Sequence, residues 1–103
     1  MRKKIMTFVI YDIENTKART KMAETCLDKG LERIQFSAFR GLLTSTQRKE
    51  LSKKLEFLLG DGDGRLFVVP ICEEDWKKAF SKEQGDRHQL APHNPSDETI
   101  LRF

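Results

Sequence analysis

The run Phe8-Val9-Ile10-Tyr11-Asp12-Ile13 sets a carboxylate where an apolar stretch gives out. Asp is scarce inside strands and costly to bury unpaired, so Asp12 either ends a strand or faces something that needs its charge. An aspartate so placed is a candidate ligand for a hard divalent ion. Such an ion can supply parts of what phosphodiester hydrolysis needs: a nucleophilic water, neutralised non-bridging oxygens and help for the leaving oxygen. One carboxylate per chain makes a poor site. From Asp12 alone, the plainer reading that it opens a turn stands ahead.

Residue types and spacing weigh against other chemistries. Ser37 has no His nearby to act as its base, which argues against a nucleophilic triad. His88 and His93 are not at helical i, i+4 spacing and no cysteine pair accompanies them, so a zinc site is not expected. Tyr11 as a covalent nucleophile would need a two-histidine metal motif that the chain lacks. The loop Gly60-Asp61-Gly62-Asp63-Gly64 is followed by Arg65 and Leu66 at the fifth and sixth positions from Asp61, with no Glu at the twelfth, and reads as a flexible turn rather than a calcium loop. Cys26 and Cys72 are far apart and form neither a CxxC pair nor a disulfide framework; both read as small buried apolar groups.

With 103 residues, 38% of them hydrophobic and 34% charged, the chain has the size and composition of one soluble globular domain. No apolar stretch approaches the roughly 20 residues that span a bilayer, and Met1-Arg2-Lys3-Lys4 leads straight into a short strand-like run. A cytoplasmic protein with no membrane partner is therefore expected. The net charge of +3 and pI near 9.0 lean only weakly toward a polyanionic partner, because 19 basic side chains face 16 acidic ones.

These residues need elements to position them. Ile5 to Tyr11, nearly all apolar, suits an interior strand covered on both faces. Asn15 is placed to cap a helix running to about Lys29, with Gly30 in the left-handed position that closes it. Ala18, Met22, Ala23, Cys26 and Leu27 would form its apolar face. Arg19 and Lys21 fall within its first turn and a half, near Asp12. Leu31 to Leu43 reads as two short strands or one bent strand, broken near Gln35 to Ser37. Arg33, Gln35 and Ser37 share one parity and Ile34, Phe36 and Ala38 the other. Thr44 with Gln47 makes a capping box for a second helix, buried along Leu51, Leu55, Leu58 and Leu59 and ended by Gly60. Its other side carries Arg48, Lys49, Lys53 and Lys54. Arg65 to Cys72 reads as a strand that Pro70 puts at an edge or a strand's end, and residues 73 to 82 as a short helix carrying Trp76 and Phe80. The order β-α-β-β-α-β is that of a ferredoxin-like α+β sandwich over residues 1 to 82. A polar tail, 83 to 103, ends in Ile100, Leu101 and Phe103, an extra C-terminal strand expected to be exchanged with a partner copy.

In its residues the chain resembles the CRISPR-associated protein 2 family, the small nuclease-like partner in spacer acquisition. The resemblance rests on Tyr11-Asp12-Ile13, on Arg19 and Lys21, on Gly30 through Leu43 and on Val69-Pro70-Ile71-Cys72. It implies a ferredoxin-like homodimer whose aspartates face each other, with Asp12 catalytic and holding magnesium or another divalent cation such as manganese, and Tyr11 beside it. Arg19, Arg33 and Phe39 match positions used around the nucleic acid. Lys21 stands where many relatives carry Arg, keeping charge but losing the bidentate fork. Ser37 joins this set as a hydrogen-bond donor, although satisfying the strand break is its first reading, and for Phe39 packing stands ahead of stacking on a base. The function implied is endonucleolytic cleavage of RNA or double-stranded DNA in adaptive antiviral defence. The alternative is a non-catalytic scaffold that holds duplex DNA by its phosphates for the CRISPR integrase subunit.

Overall fold

Asn15 fixes where the first helix starts: its side-chain oxygen accepts from the Ala18 amide at 2.8 Å, satisfying one of the first-turn donors that have no partner inside the helix. In the computed structural model, which describes residues 3–84, that helix is one of seven elements. They are β1 (Ile5–Ile13), α1 (Thr16–Asp28), β2 (Glu32–Gln35), β3 (Ala38–Leu43), α2 (Ser45–Leu59), β4 (Gly64–Ile71) and α3 (Glu73–Lys78). Gly30 follows α1 at φ 87°, the left-handed conformation that glycine adopts without strain. At the start of α2 the capping box is complete. The Thr44 hydroxyl accepts from the Gln47 amide at 3.1 Å, and the Gln47 side chain accepts from the Thr44 amide at 2.9 Å.

The strands form one antiparallel sheet in the order β2-β3-β1-β4. β1 is central, flanked by β3 and β4, and β4 lies at the edge where Pro70 requires no further partner. α1 and α2 pack on one face, and the arrangement is a ferredoxin-like α+β fold. Between sheet and helices lie Val9, Tyr11, Ile13, Met22, Ala23, Cys26, Leu31, Phe39, Leu43, Leu51 and Leu55, all buried.

Several expectations need correction. Among the described residues, α1 and α2 cover β1 on one face. Its other face is closed at Phe8, where Trp76 of α3 packs edge-on at 6.0 Å between ring centroids, but Ile10 and Asp12 stay exposed. Among the described residues no second helical layer covers them. Leu27, expected on the apolar face, is half exposed at the last turn of α1. The second segment is two strands, and the turn at Phe36-Ser37 ends the alternation expected to run through it: Phe36 swings out to 71% exposed while Ala38 is buried. Cys72 caps α3 and is exposed, unlike Cys26. α3 stops at Lys78, so Phe80 lies beyond it. The expected strand at Ile100 to Phe103, like His88 and His93, lies outside the described residues.

Candidate nucleic-acid and metal site

Alternation along β1 sends Asp12 to the open face while Tyr11 and Ile13 point under the helices. The Asp12 carboxylate stands opposite Arg65 in the β1–β4 register, and its Oδ2 accepts from Arg65 Nη2 at 3.4 Å. Both side chains are mostly in water, 78% and 73% exposed. The strand end beside them is tight. A Cβ on Gly64 would strike the Ile13 side chain and come within 3.0 Å of the Asp12 carbonyl oxygen, so only glycine lets β4 run this close.

Arg19 reaches this strand end from the first turns of α1. Its Nη1 donates to the Ile13 carbonyl at 3.2 Å and its Nη2 to the Thr16 hydroxyl at 3.2 Å. The turn between β2 and β3 closes on the same place, since the Tyr11 amide donates to the Ser37 carbonyl at 3.1 Å. Arg33, in β2, lays its guanidinium 5.0 Å from the Phe39 ring centroid and 5.5 Å from that of Phe36, while the Arg19 guanidinium lies 5.9 Å from Phe36. Two guanidinium groups thus gather around one exposed ring, immediately beside the backbone that carries Asp12.

Tyr11 and Phe39 support this arrangement from beneath. Their rings stack at 6.0 Å between centroids, 24° from parallel, and both are buried. Burial raises the Tyr11 phenol, with the Cys26 thiol adding to the rise and Arg33 and Arg19 opposing it. The Tyr11 hydroxyl and Arg33 Nε are both buried without a hydrogen-bond partner. Burial also pushes Cys26 up to about 12, so this thiol is neutral and inert at ordinary pH. Tyr11 accordingly holds the strand end from the core side and does not share the solvent face of Asp12. Lys21 is exposed on α1. Asp12, Arg19, Arg33 and Ser37 converge on the end of β1.

Two residues belong here that the sequence did not single out. Arg65 is the register partner of Asp12, and register cannot be read from a strand alone. Phe36 left one signal, a large aromatic beside Ser37 in the strand break.

Among the described residues, no three His, Cys, Asp or Glu side chains gather closely enough to hold a metal ion. The carboxylate oxygens of Asp12 suit a hard divalent cation, but one carboxylate falls short of the oxygen ligands such an ion takes.

The arrangement is a two-layer α+β sandwich with an acid at the exposed end of β1 and arginines beside it. The model of the CRISPR associated protein Cas2 family matches residues 5–79, and the chain belongs to that family. A relative from Desulforudis audaxviator, named CRISPR-associated endoribonuclease Cas2, is 39% identical over 87 residues, covering 82% of each chain. One of the same name from Korarchaeum cryptofilum is 43% identical over 74 residues, covering 71% of this chain and 78% of the relative. The crystal structure of a hypothetical protein, TT1823, from Thermus thermophilus superposes with a TM-score of 0.64 at 25% identity, over 87% of this chain and 96% of that one. No helix among the described residues is long and apolar enough to cross a membrane.

Proposed function

We propose that the chain is a homodimeric, magnesium-dependent endonuclease that cleaves phosphodiester bonds in RNA or double-stranded DNA and serves spacer acquisition beside an integrase subunit. The observation that carries this is the placement of Asp12: an exposed carboxylate on the open face of the sheet, with Arg19 and Arg33 at the same strand end. The names of the relatives support nuclease chemistry.

Ile10, Leu42, Phe67 and Val69 are 38%, 56%, 52% and 42% exposed on that same face, an apolar surface suited to a second copy of the chain. A two-fold axis through it would bring two Asp12 carboxylates toward one another, and together they would hold the cation. When bound, a divalent ion there supplies an activated water and charge neutralisation on the phosphate. The chain's own part is to bind and orient. Arg19, tethered at Ile13 and Thr16, and Arg33, held between aromatic rings, present fixed positive charge to the phosphates flanking the scissile bond. Arg65, now paired with Asp12, would give up that contact as the cation binds.

A second reading is supported by the basic outer side of α2, where Lys49, Lys53 and Lys54 are all exposed. On that reading the chain is a scaffold holding duplex DNA by its phosphates. Cleavage of matched RNA and duplex DNA by wild type and Asp12→Ala, purified identically and assayed with magnesium and with chelator, separates the two. The nuclease reading expects cleavage to be lost both on mutation and on chelation. Equal cleavage by both proteins, or none by either, would move the function to the scaffold.

A further inference from the structure

We propose that Phe36 is the base-stacking residue of this site, holding one unpaired nucleobase while Arg19 and Arg33 take the phosphates on either side of it; this rests on the nucleic-acid reading above. Phe36 is 71% exposed at a hairpin turn, and what sets it apart from the equally exposed Phe57 and Phe80 is the pair of guanidinium groups gathered at its ring. Phe36 lies in the turn that closes against β1 through Ser37 and Tyr11, and its neighbours are the guanidinium groups of Arg19 and Arg33.

The chemistry of that neighbourhood selects its ligand. Two cations beside a ring favour an anionic ligand, and an exposed ring favours a flat, polarisable one; a nucleotide with its base out of the duplex meets both demands. A base inside a duplex does not, because its faces are covered by neighbouring bases. The ring is also held in place. Arg33 lies near both Phe36 and the buried Phe39, which stacks in turn on Tyr11, so a column of rings and guanidinium runs from the core to the exposed ring. A base on Phe36 would lie beside the strand end that carries Asp12, so its flanking phosphates come within reach of both arginines. Phe36 would then set which phosphodiester is presented, without touching the reacting atoms.

The test is equilibrium binding in chelator, where cleavage does not intervene, so its outcome is independent of whether Asp12 is catalytic. The probe is a short single-stranded oligonucleotide carrying 2-aminopurine, whose fluorescence falls on stacking, together with a matched oligonucleotide in which abasic spacers replace the bases. Full-length wild type, Phe36→Leu and Phe36→Tyr are compared, with circular dichroism confirming that the exposed substitutions leave the fold intact. Wild type is expected to quench the probe. Phe36→Leu should lose the quenching and weaken binding roughly tenfold, Phe36→Tyr should restore both, and on the abasic oligonucleotide all three proteins should bind alike. Equal weakening of Phe36→Leu on both oligonucleotides would mean that the ring only positions the arginines, and would overturn the proposal. So would unchanged binding of the base-bearing probe, or failure of wild type to bind or quench it.

Discussion

Val9, Tyr11 and Ile13 are buried beneath α1 and α2, whereas Ile10 and Asp12 of the same strand face outward with no helix over them. Up to Asp12 the outward positions, Phe8 and Ile10, are as apolar as the inward ones, so the sequence of β1 does not distinguish its two faces. The difference lies in what each face meets. On the closed face every side chain is fixed by packing against another part of the same chain. On the open face Phe8, packed by Trp76, and the β3 residues Ala38 and Arg40 beside it are buried as well, while the end that carries Asp12 is exposed. The main hydrophobic core therefore lies on one side of the sheet and the proposed chemistry at the exposed strand end on the other.

Truncation should expose this contrast most strongly. Leu55 is fully buried in the helix-covered core, and Leu55→Ala should cost about 2–5 kcal/mol, read from the midpoint of denaturant unfolding. Phe67, half exposed on the open face, should behave oppositely. For Phe67→Gln the unfolding free energy measured at low protein concentration should move by about 0.5 kcal/mol or less, while sedimentation shifts from dimer toward monomer. A large loss of stability without a change in sedimentation would erase the contrast.

Overpacking the closed face should matter less than emptying it, though still measurably. A Cβ at Gly41 would strike the Leu31 side chain and lie 3.2 Å from its Cα, so Gly41→Ala should destabilise by about 1–3 kcal/mol on the same unfolding assay. Gly41 faces the helices while its neighbour Leu42 faces out. Leu42→Ala should leave the midpoint nearly unmoved.

The local elements were legible because their signals are local. Asn15 and Gly30 around α1, the Thr44–Gln47 box and the leucine stripe of α2 each act within a few residues. The coverage of β1 was not legible, because an apolar strand residue left exposed reads the same as one under a helix. Asp12, Arg19 and Arg33 were singled out from residue type and family resemblance, and the fold sets all three near the end of β1. Arg65 and Phe36 were not, since one depends on register between strands far apart in sequence and the other on a turn that reverses the expected parity.

The two cysteines test burial chemically, one in the core and one outside it. Cys72 should react with a thiol reagent in the native protein near neutral pH, and Cys26 only on unfolding. Burial raises Cys26 from 9.0 to about 12, so the folded state holds this proton more tightly than the unfolded state does. The stabilisation is complete below about pH 9 and is lost as pH rises toward about 12. Tyr11, also raised by burial, acts in the same direction. The unfolding midpoint of wild type should fall across that window, and that of Cys26→Ala should fall less. An identical alkaline slope in both proteins would mean that the Cys26 thiol is not protected.

The smallest stability effect should fall on the open face, where it also carries the most functional information. Arg65 and Asp12 form an ion pair at 3.4 Å with both partners largely in water, and such pairs contribute roughly 0–1 kcal/mol. Arg65→Gln should therefore leave the unfolding midpoint almost unchanged. Its effect on the cation should be larger, because the guanidinium competes for the same carboxylate oxygen that a divalent ion would use. With that competitor neutralised, half-maximal cleavage should need several-fold less magnesium, an effect that added salt should diminish by screening the pair in wild type as well. An increased magnesium requirement in Arg65→Gln would point the other way: Arg65 would be a phosphate ligand, and its contact with Asp12 would be what keeps it at the strand end before substrate arrives.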